Sequence, residues 1–261
     1  MLFGRFRKKK LDDELDEGLR LVDESTPFAI REAFKSLYTN ILYLNIADKC
    51  KKIAVTSALP SEGKSCLSAN LSCALAQNSE DKKILLIDAD MRAPKAGKLF
   101  EIKGRPHGLS EYLAGIDEKP ALRYLPEHNI TILTAGGRTV NPTKLIGSTR
   151  MQELIAEMEK DFDYIIIDTP PITIVTDAVL LSDYINGYII STLADRSNVN
   201  SLDEAIGMLN QVGAEVYGIV LSALKLKDNG GKYGKYGKYG KYGKYGKYEA
   251  AEAEYGDKKN A

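Results

Sequence analysis

The chain has 261 residues, 44% apolar and 28% charged, and its formal net charge is zero. That size and balance suit one large α/β domain with tails, or two small domains. Three cysteines (Cys50, Cys66, Cys73) show no pairing spacing and exclude a disulfide framework; no apolar run reaches membrane-spanning length, and no signal peptide is visible.

Residues 1–10 are basic with interspersed aromatics. They read either as a solvated, disordered start or as a contact for an anionic membrane surface. An acidic patch follows at residues 12–17. Ser25-Thr26-Pro27 is a helix start with Pro27 in the first turn, and Phe28, Ala29, Phe34, Leu37, Ile41, Leu44 and Ile46 give a helical apolar stripe. Residues 53–57 form a β-branched run expected as a buried strand, and residues 66–76 are expected as a helix. Cys66 and Cys73 share one face of that helix, as small buried side chains. Further strands are expected at 84–87, 131–134, 164–167, 188–192 and 216–221, with helices at 151–160, 178–182 and 202–211 between them. Continuous apolar runs such as Ile84-Leu85-Leu86-Ile87 suit central strands covered on both faces. The alternation predicts a doubly wound, mostly parallel α/β sheet with helices on both faces and its ligand at the carboxyl ends of the strands.

The segment between the first strand and its helix reads Ala58-Leu59-Pro60-Ser61-Glu62-Gly63-Lys64-Ser65. Strand, loop and helix are the context a phosphate-binding loop requires. Backbone N–H groups from Ser61 through Cys66 would face an anion, helped by the helix N-terminus. Gly63 permits close approach, Lys64 would reach the β- and γ-phosphates, and the Ser65 hydroxyl would hold Mg²⁺. The first position is Ala58, where the usual pattern has Gly.

Three aspartates stand at strand ends, Asp88 and Asp90 after one and Asp168 after another. A parallel sheet would bring them to the edge where the loop opens. There a carboxylate can hold Mg²⁺ or accept a proton from an incoming hydroxyl. Asp168 has the position of a metal ligand, and a lone strand-end Asp would otherwise be read as a helix cap. Asp88 and Asp90 both face the site only if the strand ends between them. Arg92 is open to three readings, as a phosphate contact, a partner for a carboxylate, or a surface residue. His107 and His128 have no partner pattern and receive no role.

From residue 228 on there is no apolar periodicity, and Gly-Lys-Tyr repeats with period three from residue 231 to 248. Such a repeat gives neither helix nor strand a buried face, so a disordered tail is expected. The expected organisation is a segment 1–24, a phosphate-loop domain 25–227 and a tail 228–261. Tyr233, Tyr236, Tyr239, Tyr242, Tyr245, Tyr248 and Tyr255 cannot be buried there, and each hydroxyl is a phosphoryl acceptor in waiting. From Lys232 onward eight lysines face four acids. Phosphorylating all these tyrosines would take the side chains from a positive charge to roughly −6 to −10. A tail of about thirty residues has an r.m.s. span near 30 Å and can reach a neighbouring subunit. The rival reading is a sticky low-complexity tail, or a Lys/Tyr binder of nucleic acid or polysaccharide.

These residues together resemble the bacterial tyrosine kinases of capsule and exopolysaccharide assembly, of the stand-alone cytoplasmic type. The likeness runs from about residue 25 to 224. Residues 57–65 are similar to that family's Walker A, residues 84–94 with Asp88-Ala89-Asp90-Met91-Arg92-Ala93-Pro94 to its A′ motif, and Ile165-Ile166-Ile167-Asp168-Thr169-Pro170-Pro171 to its Walker B. Residues 108–115 and Asn141-Pro142 are also similar. The resemblance implies a P-loop NTPase-like fold and an ATP- and Mg²⁺-dependent kinase that phosphorylates its own tail tyrosines, between subunits of a homo-oligomer. It implies a transmembrane chain-length regulator that docks and activates the chain at the inner face of the membrane, and a cognate tyrosine phosphatase, with no nucleic-acid partner. By the same likeness Lys64 and Ser65 hold phosphates and metal, Asp168 holds metal, and Asp88 and Asp90 assist metal binding and tyrosine deprotonation. Two features depart from the family. Where it carries Glu-x-x-Arg-x-x-Arg as a ring contact, this chain has Glu32, Lys35 and Tyr38, and its last strand ends at Ser222 instead of Asn. The main alternative is a positioning or partitioning ATPase switch of the same fold, whose loop normally carries a Lys where Leu59 stands.

Overall fold

The computed structural model describes residues 20–79, 81–104, 107–194 and 197–222. The first nineteen residues of the basic and acidic start, and the tyrosine-bearing tail, lie outside the described residues. The strands are β1 (Lys51–Ser57), β2 (Ile84–Asp88), β3 (Arg123–Leu125), β4 (Ile130–Leu133), β5 (Tyr164–Asp168), β6 (Gly187–Leu193) and β7 (Val216–Ser222). They form one sheet in the order β3-β4-β2-β5-β1-β6-β7. All neighbours run parallel except β3, which pairs antiparallel with β4 at the edge. The apolar runs of β2 and β5 are buried at every residue, as strands covered on both faces must be.

Two apolar clusters fill the two faces of the sheet. Helices α1 (Phe28–Leu42), α2 (Lys64–Gln77) and α3 (Ala96–Leu99) contribute Ile41, Leu67, Leu71, Leu75 and Leu99 to one. Helices α4 (Leu109–Leu113), α5 (Pro142–Ile146), α6 (Thr149–Met158) and α7 (Val199–Gln211) contribute Leu109, Ile146, Leu154, Ile155, Ala205 and Leu209 to the other. Local chemistry starts these helices where they start. The side chains of Asn141, Ser148 and Asn198 accept the N–H groups of Lys144, Met151 and Ser201 in the first turns of α5, α6 and α7. In α2 twelve of fourteen residues are buried, so the serines inside it must find partners within the helix. Ser68 Oγ donates to the Lys64 carbonyl and Ser72 Oγ to the Ser68 carbonyl, each at 2.8 Å.

Helix α1 is pinned to this buried helix. Tyr38 Oη donates to the Asn78 carbonyl at 3.0 Å, at the C-terminal end of α2. Lys35 pairs with Glu32 of its own helix at 2.7 Å. Residues before α1 contact α2, where Asn70 accepts the Val22 N–H at 2.6 Å and donates to the Arg20 carbonyl at 3.0 Å.

Some elements differ from expectation. The apolar stripe suggests a helix as far as Ile46, but α1 stops at Leu42 while Leu44 still packs on the core. The helix expected at 178–182 is a 3₁₀ turn, Val179–Tyr184. Strand β3 and helices α3, α4 and α5 have three to five residues each, too short to show a period.

Candidate active site

Strand β1 lies inside the sheet, with β5 on one side and β6 on the other. Its carboxyl end releases the chain into the loop at residues 58–63, which turns directly into α2. The turn needs left-handed backbone: Gly63 has φ +81°, and Ser61 takes φ +63° at an exposed position. Hydroxyls around the loop peg it in place. Ser57 Oγ donates to the Leu59 carbonyl at 2.7 Å and Thr173 Oγ1 to the Ala58 carbonyl at 2.5 Å. Ser191 Oγ donates to the Glu62 carbonyl at 2.5 Å. Among the described residues, no backbone hydrogen bond uses the N–H groups of Gly63, Lys64 or Ser65. They form a concave set of free donors at a helix N-terminus, the arrangement that binds phosphate.

The carboxylates meet the loop from the β5 and β2 side. Parallel pairing places Asp88 in register with Asp168 at the ends of β2 and β5, and Val55 of β1 in register with Asp168. Strand β2 ends at Asp88, which frees the backbone to turn Asp90 inward as well. Asp88, Asp90 and Asp168 are all buried, and so is Lys64. Lys64 Nζ donates to Asp90 Oδ2 at 2.8 Å. Asp90 Oδ1 accepts the Ala93 N–H at 3.0 Å. Asp88 accepts the N–H groups of Asp90 and Ala96 at 3.2 and 3.1 Å, so it also caps α3. The strand-end cap and the inward-facing acid are therefore the same residue.

Burial and mutual repulsion set the electrostatics. Desolvation, then the charge of Asp168, raises the pKa of Asp88 well above the ordinary carboxylate value. Desolvation raises Asp168 to about 6, with the Lys64 ammonium opposing it. Burial works against the Lys64 ammonium, but Asp168, Asp90 and Asp88 outweigh it and raise its pKa.

Two buried oxygens in this cluster have no hydrogen-bond partner, Ser65 Oγ and Asp168 Oδ2. Ser65 still lies close enough to help hold the Asp168 pKa down, but not in hydrogen-bonding geometry. Unsatisfied buried polar atoms are costly and uncommon. A hydroxyl and a carboxylate oxygen are hard donors of the kind Mg²⁺ takes. Among the described residues no group of three or more His, Cys, Asp or Glu side chains stands ready as a metal site. A metal here would complete its shell with phosphate oxygens and water, which is the usual habit of Mg²⁺ at nucleotide sites.

The remaining residues expected at the site take distinct places. The Glu62 side chain is turned to the Leu59 N–H at 2.8 Å and the Ser197 hydroxyl, leaving its backbone for the anion. The Cys66 thiol donates to the Arg20 carbonyl at 3.5 Å, and burial raises its pKa. Arg92 resolves as the partner of a carboxylate. Its Nε and Nη2 donate to Asp177 at 3.0 and 3.2 Å, and Nη2 also donates to Thr143 Oγ1 at 2.7 Å. Sequence reading left the partner of Arg92 unnamed and missed a second clamp, in which Glu111 accepts the N–H groups of Gly108 and Gly137 at 2.8 and 2.9 Å. Both join segments far apart in the chain. His107 pairs with Asp117 at 2.9 Å. Among the described residues, no helix is long and apolar enough to cross a membrane.

The comparisons agree with this geometry. A family model described as ParA, NUBPL iron-transfer P-loop NTPase, matches residues 49–244. The putative tyrosine-protein kinase CapB of Staphylococcus aureus is 31% identical over 213 residues, covering 81% of this chain and 92% of the relative. The tyrosine-protein kinase CpsD of Streptococcus pneumoniae serotype 4 is 38% identical over 196 residues, covering 74% and 86%. The solved kinase domain of the Escherichia coli tyrosine kinase Etk superposes with a TM-score of 0.71 at 29% identity, covering 78% of this chain and 79% of that one. Of the full-length Etk, this chain spans only 28%. The chain belongs to the bacterial tyrosine-kinase family of capsule and exopolysaccharide assembly, within the P-loop NTPases.

Proposed function

We propose that this chain is an ATP- and Mg²⁺-dependent protein-tyrosine kinase that phosphorylates its own C-terminal tyrosines and thereby regulates capsular or exopolysaccharide synthesis and export. The observation that carries the reading is the pair of buried, unpartnered oxygens, Ser65 Oγ and Asp168 Oδ2, beside Lys64 and beneath a loop of free N–H groups. In this reading Ser61 through Cys66 offer backbone to the phosphates, and Lys64 leaves Asp90 for the γ-phosphate. Ser65, Asp168 and Asp88 hold Mg²⁺, which when bound neutralises charge on the β- and γ-phosphates. A tyrosine phenol attacks the γ-phosphorus, the bond to the β–γ bridging oxygen breaks, and ADP leaves. The phenolic proton passes to Asp88 or Asp90. Lys64 supports charge on the transferring group.

The acceptors in this reading are Tyr233, Tyr236, Tyr239, Tyr242, Tyr245, Tyr248 and Tyr255, all outside the described residues. The chain works at the inner face of the membrane, where a transmembrane chain-length regulator activates it, as a homo-oligomer whose phosphates a cognate phosphatase removes. The kinase relatives favour this over an ATP-switch positioning role, because the shared ParA-type fold alone separates neither. Incubating pure protein with labelled ATP and Mg²⁺ decides between them. Wild type should gain phosphotyrosine and Lys64→Met should gain none. ADP release without phosphotyrosine, even with an activating peptide from the membrane partner, would overturn the kinase reading in favour of the switch.

A further inference from the structure

Helix α2 carries a side-chain amide in the part of its length that is packed into the protein. Asn70 is 3% exposed, and a buried amide needs partners for both of its ends. One partner is in its own helix, where Nδ2 donates to the Cys66 carbonyl at 2.9 Å. The others come from outside. Nδ2 also donates to the Arg20 carbonyl at 3.0 Å, and Oδ1 accepts the Val22 N–H at 2.6 Å. A single amide thus grips the backbone on both sides of Leu21. The Leu21 side chain packs on the same apolar cluster as Leu67 and Leu71 of α2. The Cys66 thiol donates to the same Arg20 carbonyl, at 3.5 Å. Residues 20–22 form a short strap held by backbone contacts and one apolar anchor.

The strap lies on the part of α2 that faces phosphate. Cys66 and Asn70 belong to its first two turns, and the first turn presents the free N–H groups of Lys64 and Ser65. The N–H groups of a first turn have no partners inside their helix, so such a turn opens readily when its flank is not held. At the far end of α2, Tyr38 of α1 holds the Asn78 carbonyl. A tight turn joins strap to α1: Asp23 Oδ1 accepts the Ser25 N–H at 2.9 Å, and the Asp23 carbonyl accepts the Thr26 N–H at 3.1 Å. Strap, turn and α1 therefore hold α2 at both ends, and the strap does so beside the anion site.

We propose that Asn70 is a positioning residue that couples attachment of this strap to nucleotide binding. With the strap attached, the first turn of α2 keeps its N–H groups in the arrangement that takes phosphate. With the strap released, that turn loosens and nucleotide binds less well. Linkage makes the effect reciprocal, so bound nucleotide holds the strap down by the same factor. The inference rests on the nucleotide site of the proposed function.

Amide exchange at Val22 in the full wild-type chain, with and without saturating Mg–ADP, tests the coupling without any variant. Mg–ADP should slow exchange at Val22 by about fivefold, the low end of ordinary coupling. Exchange at His128, whose N–H bonds the Leu125 carbonyl in the β3–β4 turn, should stay the same. Two variants read the reverse direction by titration calorimetry. Asn70→Ala puts a strong helix former in α2 and cuts both bonds to the strap. Leu21→Ser leaves α2 untouched and removes the strap's apolar anchor. Each should speed Val22 exchange in the nucleotide-free protein and raise the Kd for Mg–ADP by about three- to fivefold. Val22 exchange that Mg–ADP leaves unchanged, or slows no more than at His128, overturns the coupling. Faster Val22 exchange with an unchanged Kd in both variants confines the strap to folding and overturns it too. Unchanged Val22 exchange in Asn70→Ala overturns the role of Asn70. A wild type that binds no Mg–ADP overturns the proposed function itself, and the inference with it.

Discussion

Replacing Asp168 with Asn should stabilise the nucleotide-free protein while destroying its site. Asp168 is fully buried, and its pKa is raised from 3.8 to about 6. The folded chain therefore holds this proton more tightly than the unfolded chain. The stabilisation from that proton is fully present below the unfolded value of 3.8 and is lost as pH rises through about 6. At pH 7.5 the ionised, buried carboxylate costs the fold about 3 kcal/mol, from roughly two pKa units at about 1.4 kcal/mol each. Asn carries no charge and escapes that cost. It gives back about 1 kcal/mol through the poorer match to Ser68, whose hydroxyl lies 3.4 Å from Asp168 Oδ1. The net gain of about 2 kcal/mol corresponds to about 4–8 °C in melting temperature for a domain of this size. Thermal unfolding of wild type and Asp168→Asn at pH 7.5 and near pH 4, without nucleotide, measures it. The variant should melt higher at pH 7.5, the two should converge near pH 4, and added Mg–ATP should stabilise only wild type. A variant that melts lower at pH 7.5 would refute the electrostatic reasoning for this cluster.

Arg92→Ala leaves the buried Asp177 carboxylate with the Thr143 hydroxyl, 2.6 Å away, in place of the guanidinium. Urea unfolding should show a loss of about 2–3 kcal/mol, and Arg92→Lys should recover only part of it, because lysine cannot make the forked contact. Gly136→Ala puts a Cβ 2.0 Å from Glu111 Oε2 on backbone with φ +83°, so it should lower stability by at least about 1–2 kcal/mol and release the loop that Glu111 holds. Amide exchange at Gly137 reads that release. Tyr38→Phe removes the hydrogen bond to the end of α2 and should cost about 1 kcal/mol, with faster proteolysis within α1.

The parallel sheet could be read from its long apolar runs, because a strand buried on both faces spells itself out in consecutive Ile, Leu and Val. The positions of Asp88 and Asp168 follow from the same fact: each is the first charged residue after such a run, and register does the rest. The turning-in of Asp90 depended on where β2 stops, which the sequence left open. Asp177, Thr143 and Ser197 were out of reach. Their partners lie 85, 51 and 135 positions away, and no local spacing encodes a contact at that separation. Arg92 shows the limit clearly, since three readings of one side chain were equal until the fold brought Asp177 beside it. Strand β3 escaped notice because two of its three residues are exposed and carry no alternation. Tyr38, at a position where the family resemblance led to the expectation of an arginine, binds the end of α2 of its own chain.

The central claim is that phosphoryl groups leave ATP at Lys64 and arrive on the tyrosines beyond residue 228. Mass spectrometry of the intact protein and its C-terminal peptides, after incubation with Mg–ATP and an activating peptide, tests it most directly. Phosphate distributed over Tyr233 to Tyr255 in wild type, and absent from Lys64→Met, is the expected result. An unmodified tail alongside steady ADP production would contradict the account.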